Sequence, residues 1–81
     1  MPYKDDLKDW VLVAIKRHGG EATILQVAKY IWDHHENDLR RHGEGFYLWQ
    51  YDMRWAAQYL RDNGILVPTD QTPRGVWRVR S

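Results

Sequence analysis

Eighty-one residues with 43% hydrophobic content and a formal net charge of +1 give one small domain, expected to span residues 1–81. The chain has no cysteine, which excludes disulfide staples, thiolate metal sites and a cysteine nucleophile. No apolar run reaches membrane-spanning length and MPYKDDLKDW lacks the pattern of a signal peptide, so the simplest expected compartment is the cytoplasm, with no membrane partner. Five Trp, five Tyr and one Phe supply a large part of the apolar area from which a core can be built. The charge is unevenly spread. Residues 1–39 hold five Lys or Arg against seven Asp or Glu, whereas residues 40–81 hold seven Arg, no Lys and four Asp or Glu. The positive half is therefore built from arginine, the residue suited to bidentate contact with phosphate or guanine.

In chain order, Asp5 or Asp6 can cap a first helix whose apolar stripe is Leu7, Trp10, Val11, Ala14 and Ile15. Lys16, Arg17 and His18 suit its last turn and Gly19-Gly20 ends it. Leu12 and Val13 flank the stripe, so one of them is expected at a partner surface or beneath a loop. Glu21-Ala22-Thr23 reads as a short extended segment. Thr23 and Gln26 form a T-x-x-Q capping box for a second helix that buries Ile24, Val27, Ala28 and Ile31, with Trp32 at the edge. That helix is expected to end near His34 or His35. Residues 36–46 read as a connecting loop with one helical turn around Asp38–Arg41, and Gly43-x-Gly45 as a flexible turn.

A third helix is expected to begin between Tyr47 and Trp49. Trp49, Met53, Ala56 and Leu60 line its buried face, and Asn63-Gly64 supplies a left-handed stop. Its opposite face carries Gln50, Tyr51, Arg54, Gln58 and Arg61. Ile65–Val67 and Val76–Arg80 are strand candidates, joined by the turn-rich wing PTDQTPRG. The order helix, strand, helix, helix, strand, wing, strand is that of an α+β winged helix with a two- or three-stranded antiparallel sheet. In the DNA-binding use of that architecture the third helix enters the major groove. Winged helices also serve as protein–protein modules.

The segment RWAAQYLRDNGILVPTDQTPRGVWRV carries a resemblance: Trp55-Ala56, Tyr59-Leu60, Gly64-Ile65-Leu66 and Arg74-Gly75-Val76-Trp77. It resembles the N-terminal winged-helix domain of Mrr-type restriction endonucleases. The resemblance implies a DNA-docking domain that delivers a separate nuclease. The chain ends where such a nuclease would begin and has no acidic-lysine nuclease signature, so the DNA-docking half alone is implied.

Double-stranded DNA is thus the expected partner, and a homodimer or protein partner the alternative. Gln50, Tyr51, Arg54, Gln58 and Arg61 would face the groove; otherwise they are a solvated helix face. Asp52 and Asp62 dilute the positive potential there. Arg74, with Thr69, Gln71 and Thr72, would touch phosphate or the minor groove, or would instead pin the wing through Asp70. Arg78 and Arg80 alternate outward and extend the basic surface, as would Arg40 and Arg41 if their loop folds towards the third helix. Trp55 falls well off the core stripe, and a Trp left at the surface often marks a protein interface. His34, His35 and His42 with Glu36 and Asp38 match no common zinc spacing, so no metal or other cofactor is expected. The one serine is terminal and no catalytic constellation can be built, so neither an enzyme nor a small-molecule substrate is expected.

Overall fold

The computed structural model describes residues 3–41 and 44–80. Helix α1 (Tyr3–Arg17) leads into strand β1 (Glu21–Thr23), helix α2 (Ile24–Arg41), helix α3 (Glu44–Asp62), a 3-10 turn (Thr69–Gln71) and strand β2 (Val76–Arg78). β1 and β2 pair antiparallel, with Ala22 opposite Trp77. The expected strand Ile65–Val67 is reduced to one bridge, Leu66 with Val79. Its flanking bonds run from the Val67 N–H to the Arg78 carbonyl (3.0 Å) and from the Arg80 N–H to the Ile65 carbonyl (2.8 Å). This is an α+β fold with the winged-helix layout.

Local signals explain where the elements start and stop. The Gly20 N–H reaches the Ile15 carbonyl (3.0 Å) and the Gly19 N–H that of Lys16 (3.1 Å), a Schellman stop on α1. The same pair of bonds closes α3, from Ile65 to Leu60 (2.9 Å) and from Gly64 to Arg61 (3.0 Å). Gly64 sits at φ +74°, a left-handed geometry that a side chain would strain. The capping box forms reciprocally: the Thr23 N–H donates to Gln26 Oε1 (2.9 Å) and the Gln26 N–H to Thr23 Oγ1 (3.1 Å).

Three helix boundaries differ from the sequence reading, and the last strand ends at Arg78 rather than Arg80. α1 begins at Tyr3, so Asp5 and Asp6 occupy its first turn rather than the cap. There their charge still favours the helix dipole. α2 continues to Arg41 through a kink at His35 (φ −132°, ψ 21°), which coincides with the expected end. The Trp10 and His35 rings stack across the kink with centroids 3.9 Å apart. The polar 36–41 stretch stays helical because it makes its own short-range pairs and buries Leu39 completely. Glu36 pairs with Arg40 (2.7 Å) and Asp38 with Arg41 (2.9 Å). α3 begins at Glu44, which places Gly45 inside a helix; Gly43 and His42 lie outside the described residues.

The core is where the periodicity puts it. Leu7, Val11, Ala14 and Ile15 of α1 meet Val27 and Ile31 of α2 and Trp49, Met53, Ala56 and Leu60 of α3. Ala22, Leu66 and Trp77 close the sheet side. Trp10, Ile24, Ala28 and Trp32 pack at its margin, as does Leu12, whereas Val13 is exposed. Among the described residues no helix is long and apolar enough to cross a membrane.

Candidate nucleic-acid interface

At about 100° per residue, the sequence of α3 winds three distinct faces onto one helix. The first is the buried stripe already described, widened by Ala57. The second carries Gln50, Arg54, Gln58 and Arg61, all exposed except the half-buried Arg61. The third carries Leu48, Tyr51, Trp55 and Tyr59, exposed and spaced three or four residues apart. Asp52 lies between the first and third faces and is buried, on the side of α3 away from the basic face.

The wing brings the distant arginine to the second face. The Gln71 N–H bonds to the Pro68 carbonyl (3.0 Å), closing the 3-10 turn. The Val76 N–H then bonds to the Pro73 carbonyl (3.1 Å) around Arg74-Gly75, and Gly75 takes φ +79°. Those are the marks of a type II turn, with Arg74 at its second position. The Ile24 N–H reaches the Gly75 carbonyl (2.9 Å) and so ties the return of the wing to the first residue of α2.

Between α3 and the wing lies a groove of about 420 Å³. Arg54 and Arg61 line it from the helix, and Arg74, Thr69, Thr72 and Pro73 from the wing. Ile24, Val76 and Trp77 form its apolar floor. No carboxylate is among the described residues lining it. Asp70 makes no ion pair with Arg74 among the described residues, so the wing is not pinned in that way. Three arginines thus line one groove whose described lining holds no carboxylate.

The other predicted residues are placed differently. Gln58 is engaged along the helix: its Nε2 donates to Asp62 (2.8 Å), and its Oε1 accepts from Arg61 Nη2 (2.9 Å) and Nε (3.3 Å). Tyr51, 73% exposed, stands where the basic and aromatic faces meet. Arg78 pairs with Glu21, its cross-strand neighbour, beside Gly19 and Gly20 rather than in the groove. Strand alternation explains this: Trp77 faces the core and Arg78 points the other way. Arg40 and Arg41 stay with their partners at the end of α2, and Arg40 also lies over the Trp32 ring (5.4 Å).

Two features escaped the sequence reading. The Gln58–Arg61–Asp62 link was visible as an i, i+3, i+4 set. The aromatic face is visible as a second stripe, on which the sequence reading takes Trp55 as an interface residue and Tyr51 as a groove contact. On that face Lys8 of α1 lies over the Tyr59 ring (3.9 Å), held by Asp5 (3.0 Å). The bond to Asp5, followed by the influence of Tyr59, raises the Lys8 pKa above its ordinary value. His34 stacks on Tyr30 and donates from Nδ1 to the Tyr30 carbonyl (2.9 Å). Fold and groove together define a small winged-helix-like domain with a cationic cleft. Compared with known proteins, the chain matches no family model, no curated protein and no solved structure.

Proposed function

We propose that this domain binds double-stranded DNA without catalysing a reaction, with α3 entering the major groove and the wing resting on the flanking backbone. The observation that carries the reading is the groove shared by Arg54, Arg61 and Arg74 with no carboxylate in its lining. A modest net charge of +1 is no obstacle when the local field is concentrated in this way. The resemblance of Arg54–Val79 to the docking domain of Mrr-type endonucleases points the same way and rests on the quoted residues alone. The cytoplasmic setting expected from the sequence belongs to the same proposal. Anisotropy of a labelled generic duplex tests it: binding should be measurable at about 50 mM salt and fall steeply by about 200 mM. Absence of binding at the lower salt overturns it.

A second reading is favoured by a separate observation. Leu48, Tyr51, Trp55 and Tyr59 form an exposed stripe on the third face of α3. Contiguous exposed aromatics fit a homodimer or adaptor surface. Sedimentation of the free protein tests this reading, which predicts a dimer that Trp55→Arg dissociates.

A further inference from the structure

The three groove arginines raise a question that DNA binding in general leaves open: whether they read bases or hold the backbone. We propose that Arg54, Arg61 and Arg74 form one clamp for a phosphate group, with Gln58 as a positioning residue, while base reading falls to Gln50 and Tyr51. The inference rests on the DNA-binding reading for the source of the phosphate, but not for the clamp itself.

Charge decides first. A base edge is neutral and takes one bidentate arginine, so it leaves the repulsion among three guanidinium groups largely unrelieved. A phosphate supplies negative charge and acceptor oxygens for several N–H donors at once. The arginines line the groove from α3 and from a hydrogen-bonded turn, so all three border a concavity that the fold has already shaped.

Hydrogen-bond accounting decides next. Reading adenine requires both the carbonyl and the amide of a glutamine. Gln58 has given its carbonyl to two N–H groups of Arg61, and one amide N–H to Asp62. The Nε side of Arg61 is thereby anchored, and its Nη1 edge remains for an oxyanion. Gln58 thus orients Arg61 instead of touching a base. Among the described residues Asp62 bonds Gln58 and no guanidinium, so it fixes the glutamine while its charge offsets part of the field at Arg61. Gln50 sits about two helical turns before Gln58 on the same face. It lies outside the groove lining and is exposed like Tyr51, which leaves both side chains available to a base edge.

The test uses the whole chain and inorganic phosphate as probe, titrated against chloride at matched ionic strength. Arginine Nε–Hε resonances should shift together and saturably for Arg54, Arg61 and Arg74, with Arg40 and Arg80 unmoved. Arg74→Ala should weaken phosphate binding about tenfold. Uniform small shifts across all arginines would overturn the clamp even if duplex DNA binds. A saturable clamp without duplex binding would uphold it, and would point to a free phosphate compound in place of nucleic acid. For Gln58, replacement by leucine should weaken binding to a panel of duplexes evenly. A changed order of preference across that panel would make Gln58 a base reader and overturn its positioning role.

Discussion

His35 occupies a position where stacking and solvation pull against each other. It is partly withdrawn from water beside Trp10, and that desolvation lowers its pKa below the ordinary 6.5 despite the favourable Asp38 carboxylate at 3.7 Å. His34 also lowers it, whereas Asp6 raises it. A histidine whose folded pKa is depressed is more readily protonated in the unfolded chain, so its contribution to stability is present at pH above about 6.5 and is lost as pH falls towards the lower, folded value. Melting curves from pH 7.5 to 5 should therefore show a steeper loss for the natural chain than for His35→Gln. Parallel curves would contradict this. Thr23 tests a separate device, the reciprocal cap at the start of α2. Thr23→Ala should cost about 1 kcal/mol, seen as a drop of about 4–8 °C in melting temperature for a domain of this size.

At the scale of elements, the groove separates arginines that look alike in the sequence. Arg78 is committed to Glu21 across the sheet, and both side chains are near half exposed, so the pair contributes at most about 1 kcal/mol to stability. Arg78→Ala should change duplex affinity less than about threefold, whereas Arg54→Ala and Arg74→Ala should each weaken it about tenfold. Equal effects at all three positions would show that only overall charge matters. The elements themselves were largely legible, because their signals are local: a threonine and glutamine three residues apart, glycines after the last turn, and apolar residues at helical spacing. What stayed hidden depended on contacts between distant residues. The polar stretch after His35 reads as a loop until Leu39 is seen packed in the core. The strand expected at Ile65–Val67 shrinks to a bridge because only Leu66 and Val79 pair there. The face of Arg54 and Arg61 was legible, but its convergence with Arg74 was not, since separation along the chain says nothing about where a wing folds back.

For the molecule as a whole, α3 carries three chemistries on three sides, and this lets one small domain hold a core, a basic groove and an aromatic surface together. The groove and the aromatic stripe lie on different faces, so self-association through Trp55 would leave Arg54, Arg61 and Arg74 accessible. If two copies pair through the stripe, Trp55→Arg should abolish the dimer while a monomer retains phosphate binding. The groove nevertheless carries the proposed DNA-docking role. Its most direct measurement is the affinity of a generic duplex between about 50 and 200 mM salt, for the natural chain and for an Arg54→Ala, Arg74→Ala double variant. Log affinity should fall linearly against log salt, by about 0.9 for each phosphate neutralised. The double variant should bind far more weakly and with a shallower slope. Duplex binding that ignores salt, survives the double substitution or fails at the lowest salt would contradict a DNA-docking role for this groove.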